Sequence, residues 1–294
     1  MTMPEDRWLD VDGVRTRYVD TGSGPTLLLV YGGNFGSPDS ASSVTTWEPV
    51  INGLSDRFRV VAPDKLGQGH TGNPLRDEDY SMEAVSRHLA RFMDVLDLRD
   101  VHLMGHSRGG FLVTQMALDF PSRVRSVSII NSSTLAPGVG LNEPVLAKPP
   151  HPSFTRESLR WTYEHYSYGT AHVTDEWVES GYQVLCLPKY RESCRKMEEE
   201  RLKTRVFLPE MARGKRDLLS RLAEMGMQRP TQLIWTLNDP TARLDRGIAL
   251  FELIARRERD TAFHVFNQAG HFPYREHPAR FNEAVAAFIQ GIVR

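Results

Sequence analysis

Short, largely apolar runs recur along this chain and constrain its fold more than any other feature. The runs TLLLVYGG (26 to 33), FRVVAPD (58 to 64) and VHLMGH (101 to 106) are typical of strands that are buried on both faces of a parallel sheet. Helix-like segments lie between them: apolar residues recur at helical spacing from 82 to 98, after the cap candidate Ser81, and GGFLVTQMALDF follows VHLMGH. Strands alternating with helices predict a mostly parallel sheet with helices on both faces.

The two ends of the chain and a long central stretch complete this pattern. RWLDVDGVRTRYVDTGSG alternates in character on both sides of Asp12-Gly13, which predicts a hairpin of two edge strands. VRSVSIINSS, TQLIWTLND and AFHVFNQAGH are predicted strands, and RFNEAVAAFIQGIV is the predicted closing helix. Between them, a Pro-rich entry precedes charged and aromatic helix-like segments. We therefore expect a core formed by residues 1–134 and 226–294, with residues 135–225 inserted as a helical cap.

Charge and composition exclude several classes of function. The 294 residues include 36 basic and 37 acidic side chains, which leaves no basic field for nucleic acid or an anionic membrane. A small neutral or weakly charged molecule is the better partner. The N-terminus has acids where a secretory signal has basic residues, and no apolar stretch of 18 residues occurs, so we expect a cytoplasmic protein.

Metal and cofactor chemistry is not indicated. Cys186 and Cys194 are too few for a disulfide framework or a zinc site, so we interpret them as free thiols. The ten histidines show no metal-ligand spacing, and neither GHSRGG nor KLGQGHTG has the glycine spacing of a dinucleotide or phosphate loop. We expect no metal and no cofactor.

A serine stands where a predicted strand meets a predicted helix. In GHSRG (105 to 109) the pattern is G-x-S-x-G, in which a sharp turn exposes the serine and the flanking glycines avoid clashes. A glycine-rich turn that merely starts a helix would give the same five residues, but the position between VHLM and FLVTQMAL favours a nucleophile. Ser107 then needs a base, an acid that orients the base, and donors for an oxyanion.

The acid and the base have candidates in the expected chain order. Asp239 ends the predicted strand TQLIWTLND, and His271 ends FHVFNQAGH, so both follow the serine and lie just past later strands. Taken alone, Asp239 could be a turn residue before Pro240 and His271 a surface histidine. Order, spacing and position together favour a catalytic Ser-Asp-His set.

Over nearly its whole length the chain resembles the α/β-hydrolase superfamily. The likeness runs from GVRTRYVDTGSGPTLLLVYGG through APDKLGQGHT, GHSRGG, FPSRVRSVSIINSS and QLIWTLNDP to AGHFPYREHP. The resemblance implies the α/β-hydrolase fold, Ser107 as nucleophile, His271 as general base and then acid, and Asp239 as the residue that holds the histidine. Tyr31-Gly32-Gly33 replaces the usual His-Gly. The backbone N–H groups of Gly33 and Arg108 are the expected oxyanion hole, with Asn34 as a competing donor.

Within the superfamily, the chain is most similar to the meta-cleavage-product hydrolases, which split a C–C bond in vinylogous 1,5-diketones. The likeness lies in RESLRWTYEHYSYGTAHVTDEWVESGY and GGNFGSPDSASSVTTW. Two positions depart: Phe272 follows the histidine where the group has Trp, and Cys186 and Leu187 stand near the group's cap arginine. Arg108 or Arg191 could replace that arginine as the holder of a substrate carboxylate.

Several expectations for the pocket and assembly follow. The cap aromatics supply one or two pocket residues, and Trp161, Phe272 and Asn34 are the candidates for the substrate pocket. Arg108 is expected to pack against the cap and to meet a glutamate there. A carboxylesterase or lactone hydrolase, and a ligand-sensing protein on the same fold, are the alternative functions. The resemblance also suggests a dimer or larger homo-oligomer.

Overall fold

A computed structural model describes residues 3–33, 35–138 and 149–292 and has one eight-stranded sheet. The strand order is β1-β2-β4-β3-β5-β6-β7-β8; β1, β2 and β4 pair antiparallel, and every other pair is parallel. The strands are β1 Arg7–Val11, β2 Val14–Thr21, β3 Thr26–Val30, β4 Arg59–Pro63, β5 Val101–His106, β6 Val124–Ile130, β7 Thr231–Thr236 and β8 Thr261–Phe266. The predicted, mostly parallel α/β-hydrolase sheet is confirmed.

Helices cover both faces of this sheet, as the alternation predicts. They are α1 Glu48–Leu54, α2 Met82–Val95, α3 Arg108–Asp119, α4 Arg156–His165, α5 Asp175–Cys186, α6 Pro188–Glu198, α7 Leu208–Met225, α8 Leu244–Ala255, α9 Pro273–Glu276 and α10 Pro278–Ile292. The sequence analysis did not identify α1, α8 and α9. Among the described residues, none of these helices is both long enough and apolar enough to cross a membrane.

Strand β3 shows why an unbroken apolar run suits this sheet. Leu27 and Leu29 pack into the hydrophobic cluster under α1 and α10, whereas Leu28 and Val30 pack into the cluster under α2 and α3. All four side chains have no exposed surface. Because successive side chains of a strand point to opposite faces, a strand covered on both faces must be apolar at every position.

The N-terminal hairpin forms at the predicted turn. Asp12 and Gly13 both have positive φ angles, 51° and 84°, and they join β1 to β2 with Val11 opposite Val14. Two consecutive left-handed residues match the right-handed twist of the strands that they connect. The Asp-Gly pair therefore sets the register of the hairpin.

Helices α4 to α7 lie between β6 and β7, where the sequence predicts a cap. Helices α4, α5 and α6 share a hydrophobic cluster with α1, and α5 contacts the 3-10 turn before α1; α7 packs on α2 and α8, with Leu218 and Leu222 buried. The first ten residues after Gly138 lie outside the described part of the chain. The division into a core and a cap with the boundaries 134 and 226 stays a prediction.

Helix α3 approaches the sheet so closely that there is no room for a side chain at Gly109 in its first turn or at Gly105 in β5. A Cβ atom at Gly109 would lie 2.0 Å from the carbonyl oxygen of Val30, and one at Gly105 would lie 2.2 Å from the carbonyl oxygen of Gly109. These atoms belong to backbone, which cannot move aside cheaply. The glycines of GHSRG are therefore required by the contact between α3, β3 and β5.

Replacing Gly109 by Ala tests this contact. The added methyl group must push α3 away from β3, and overpacking of this kind lowers the melting temperature by about 3–10 °C. The matched control is Gly169→Ala, since nothing lies within 4 Å of a Cβ atom built at Gly169. Thermal unfolding followed by circular dichroism measures both variants. Equal melting temperatures for the two variants would contradict the close approach.

Candidate active site

Ser107 occupies the turn between β5 and α3 in a backbone conformation that non-glycine residues rarely adopt. Its φ and ψ angles are 55° and −123°, and its backbone N–H donates to the carbonyl oxygen of Ile130 at 2.8 Å. Helix α3 begins at the next residue; the Gly110 N–H bonds the Ser107 carbonyl oxygen at 2.9 Å, whereas the N–H groups of Arg108 and Gly109 have no acceptor within the helix. The turn thus places a serine hydroxyl beside free backbone donors and the positive end of a helix dipole.

Asp239 and His271 form a buried pair past the ends of β7 and β8. The Nδ1 atom of His271 lies 2.6 Å from Oδ2 of Asp239. The other carboxylate oxygen of Asp239 accepts from the backbone N–H groups of Thr241 and Ala242, at 2.7 and 2.8 Å, and from the Thr241 hydroxyl. Burial favours the neutral acid, but the nearby His271 and these donors outweigh it and hold the pKa of Asp239 below its usual value. An ionised Asp239 fixes His271 with its Nδ1 atom protonated.

Ser107 and His271 face the same cavity. Both side chains are part of its wall, together with Gly32 and Gly33 of the loop after β3. No hydrogen bond joins the Ser107 hydroxyl to the His271 imidazole among the described contacts. Catalytic hydrogen bonds are often long before substrate binds, so this geometry is compatible with a nucleophile and its base.

His106 contacts the backbone of His271. Its Nε2 atom lies 2.8 Å from the backbone carbonyl oxygen of His271, and its Nδ1 atom lies 3.1 Å from the Tyr274 hydroxyl. A carbonyl oxygen only accepts, so Nε2 carries the proton. Burial, and then the nearby His271, lower the pKa of His106 well below its usual value, so the ring is neutral and Nδ1 accepts from Tyr274.

A buried lysine orients the loop that follows β3. The Lys65 ammonium donates to the carbonyl oxygens of Gly32 and Gly33, at 2.8 and 3.4 Å. In a trans peptide the N–H points away from the carbonyl oxygen, so the Gly33 N–H points away from Lys65. Gly33 also has a φ of 79°, which suits glycine. Burial and the Arg108 cation lower the pKa of Lys65 well below its usual value.

The carboxylate of Asp64, the residue before this lysine, connects several neighbouring segments. It accepts from Arg17 at 3.1 Å, from the Tyr31 hydroxyl at 3.2 Å, and from the backbone N–H groups of Val44 and His70 at 2.7 and 2.8 Å. These donors come from β2, from the end of β3 and from two loops. Asp64 therefore joins the loop after β3 to the loop after β4.

The cavity has a volume of about 340 Å³ and a wall rich in hydroxyl groups. A larger groove of about 480 Å³ between α2, α3 and α7 contains neither Ser107 nor His271. The described residues of the cavity wall are Gly32, Gly33, Ser37, Ser40, Ser42, Thr46, His106, Ser107, Arg108, Thr162, Tyr163, Tyr166, Trp177, Lys203, His271 and Phe272.

The structure places most of the predicted site residues on this wall, with one correction. Phe272, Arg108 and Gly33 line the cavity. Trp161 does not: its ring stacks on His165 with 3.9 Å between the ring centroids. Helix α4 presents Thr162, Tyr163 and Tyr166 to the cavity, and the 100° step per residue turns Trp161 away. Asn34 lies outside the described residues.

The cap aromatics contribute three wall residues rather than the expected one or two. Tyr163 stacks on Trp177 at 4.0 Å, and Trp177 meets Phe272 edge to face at 5.1 Å. Tyr166 lies 5.1 Å from the His271 ring, between ring centroids. These contacts build one apolar corner of the cavity.

The sequence analysis missed the polar part of the wall. It consists of Ser37, Ser40, Ser42, Thr46, Thr162 and Lys203. The first four lie in the stretch GSPDSASSVTTW, whose density of hydroxyl groups was the available signal. Lys203 comes from a single π-helical turn, Lys203–Phe207, and such turns are frequent at functional sites.

Comparison with known proteins places this architecture in a family. The family model described as the alpha/beta hydrolase fold matches residues 25–278. The chain belongs to the α/β-hydrolase family. Its curated relatives include the 2-hydroxymuconate semialdehyde hydrolase of a Pseudomonas species, 28% identical over 94% of this chain and 91% of the relative. The 2-hydroxy-6-oxo-2,4-heptadienoate hydrolase of Pseudomonas putida is 26% identical over 94% and 93%.

The solved structures agree with this placement. The meta-cleavage product hydrolase from Pseudomonas fluorescens superimposes with a TM-score of 0.77 and 25% identity, and covers 97% of both chains. The chain is thus a hydrolase whose relatives include hydrolases of meta-cleavage products, as the sequence analysis expected.

The protonation of His106 is testable by NMR. At neutral pH we expect ¹⁵N shifts typical of a neutral ring protonated on Nε2. They should stay unchanged as the pH falls through the range in which an exposed histidine titrates, because burial lowers the pKa of His106 well below its usual value. His106→Asn assigns the signal, and Tyr274→Phe should shift the Nδ1 resonance by removing its donor. A His106 signal that titrates near the usual histidine pKa would contradict the assignment.

Proposed function

We propose that the protein is a cofactor-free serine hydrolase in which Ser107, His271 and Asp239 act as a catalytic triad. The buried hydrogen bond of 2.6 Å between His271 and Asp239, beside a cavity that also holds Ser107, carries this proposal. An ionised Asp239 keeps the proton of His271 on Nδ1, so Nε2 is free to accept the proton of the serine hydroxyl.

The surrounding backbone suits the charge that develops during attack. When Ser107 attacks a carbonyl, the oxygen becomes negative and needs donors that are already in place. The Arg108 N–H lies at the start of α3, and the Gly33 N–H is turned away from Lys65. We propose these two N–H groups as the oxyanion hole.

We propose a vinylogous 1,5-diketone as the substrate and C–C bond hydrolysis as the reaction. The similarity to hydrolases of 2-hydroxymuconate semialdehyde and 2-hydroxy-6-oxo-2,4-heptadienoate along 94% of the chain supports this choice. His271 first takes the proton of the substrate's 2-hydroxyl group and delivers it to the carbon next to the distant carbonyl group. Ser107 then adds to that carbonyl while His271 takes the serine proton. The C–C bond breaks, its electron pair passes into a conjugated enolate that regains the proton from His271, and water releases the acyl group from Ser107.

An ester or lactone hydrolase is the second candidate. Phe272 occupies the place of the group's tryptophan and lines the cavity, while neither Cys186 nor Leu187 is among the wall residues. The same triad hydrolyses an ester without prior protonation of carbon. The hydroxyl-lined wall is compatible with either substrate.

Two chromogenic substrates distinguish these functions. Turnover of a p-nitrophenyl short-chain ester and bleaching of a 2-hydroxy-6-oxo-dienoate are measured with the wild type, Ser107→Ala and Asp239→Asn. Each variant should lower kcat by about four orders of magnitude without unfolding, because the triad acts as a unit. Faster bleaching of the dienoate establishes C–C hydrolysis, and ester cleavage alone establishes the second candidate. Near-normal turnover by Ser107→Ala would overturn the triad, and a slow, stable adduct on Ser107 would indicate a sensing protein.

A further inference from the structure

Arg108 carries a charge that no carboxylate of the described chain neutralises. Its Nε atom is buried without a hydrogen-bond partner. Its guanidinium lies 5.7 Å from the centroid of the Phe207 ring in the π-helical turn, and the glutamate expected from the sequence is not there. Burial lowers the pKa of Arg108 below its usual value, but an arginine remains charged at neutral pH. A partly buried cation without an anionic partner raises the free energy of the folded protein, and a ligand that supplies the anion removes this cost.

Other buried arginines of the described chain are each completed by a carboxylate. Arg17 pairs with Asp64 at 3.1 Å, Arg123 with Asp94 at 2.7 Å, and Arg275 with Glu48 at 3.6 Å. Arg108 differs from them because its side chain forms part of the cavity wall beside Ser107. The missing partner therefore belongs in the cavity.

The described part of the cavity wall contains two cationic side chains and no carboxylate. The second cation, Lys203, is exposed at the wall and bonds Glu198, at 3.1 Å, which is not a wall residue. An exposed ion pair of this kind is weak, because water and salt screen the attraction between its two charges. Both cations favour an anionic group inside the cavity, and the planar fork of Arg108 suits a carboxylate.

Arg191, the other candidate for binding a substrate carboxylate, lies away from the cavity. The guanidinium of Arg191 lies over the Phe154 ring, 4.7 Å from its centroid, on the exposed side of α6. It is absent from the described cavity wall. Arg191 is therefore a matched control for Arg108.

We propose that the Arg108 guanidinium binds a carboxylate of the substrate and makes the enzyme selective for small monoanionic carbonyl compounds. This proposal rests on the proposed hydrolase function. Arg108 then serves twice: its backbone N–H faces the oxyanion, and its side chain holds the carboxylate of the same molecule. The cavity of about 340 Å³ lies near the lower end of ligand-pocket volumes, so the two groups are a few bonds apart.

Kinetics on two esters of equal chain length test the selectivity. The anionic ester is mono-p-nitrophenyl glutarate, and the neutral ester is p-nitrophenyl pentanoate. The readout is the ratio of their kcat/KM values within each variant, so a general loss of activity cancels. We expect Arg108→Met and Arg108→Gln to lower this ratio about tenfold or more, since charged hydrogen bonds are the strong ones. Arg108→Lys should retain part of the ratio, and Arg191→Met all of it.

Binding without turnover separates this proposal from the hydrolase function. Calorimetry compares hexa-2,4-dienoate with its neutral amide on Ser107→Ala and on Ser107→Ala/Arg108→Gln. We expect the dienoate to bind Ser107→Ala about tenfold more tightly than the amide, and the double variant to lose the preference.

Each outcome decides one of the two proposals. If the wild type turns over neither the esters nor the 2-hydroxy-6-oxo-dienoate but binds hexa-2,4-dienoate through Arg108, the anion site stands and the hydrolase proposal fails. If turnover depends on Ser107 while the kinetic ratio and the dienoate preference are unchanged in the Arg108 variants, the anion site is wrong. A ratio that falls equally in Arg191→Met would also overturn it.

Discussion

The contact of α3 with β3 and β5 is the constraint on which the rest of the site depends. Gly105 and Gly109 allow this contact, because a Cβ atom at either position would overlap backbone. The helix can then begin directly after Ser107, whose φ of 55° is held by the hydrogen bond to Ile130 and by the packing on both sides. A strained backbone conformation at a single residue persists only where the surrounding structure holds it. Here the same surroundings also fix the position of Ser107 in the cavity wall.

Some buried polar side chains around the site have hydrogen-bond partners in the described chain, and that of Arg108 does not. This difference separates the groups that position the site from the group proposed to bind substrate. The Asp239 carboxylate bonds both His271 and a turn of backbone donors, and the neutral His106 ring uses both of its nitrogens. Such fully paired groups hold catalytic atoms still, because moving them would strand a buried donor or acceptor. Among the described residues, the Arg108 side chain has no such hydrogen-bond partner, which distinguishes it from the paired groups of the framework.

The sequence analysis predicted elements whose signal is local. The apolar runs of β3 and β5 and the periodic α2 were identified, whereas α8 was missed although Ile248, Leu250 and Ile254 recur within GIALFELIA. The G-x-S-x-G motif brought forward Ser107, and chain order with strand-end position brought forward Asp239 and His271. The supporting contact of His106 with the His271 carbonyl joins residues 165 positions apart, and no pattern in one sequence reveals such a bond. Trp161 illustrates the other limit: composition indicates an aromatic cap, but only the phase of α4 decides which ring faces the cavity.

Charge balance within the cavity links substrate binding to the chemical step. In the proposed reaction Ser107 gives its proton to His271, and the imidazolium that forms adds a positive charge to a wall that already holds Arg108 and Lys203. Asp239 offsets part of this charge, and the oxyanion offsets part. A substrate carboxylate on Arg108 would remove the remaining repulsion before the reaction begins, in a site where little water screens it. An anionic substrate would then benefit in kcat as well as in KM, whereas a neutral ester of the same length would react against an uncompensated guanidinium.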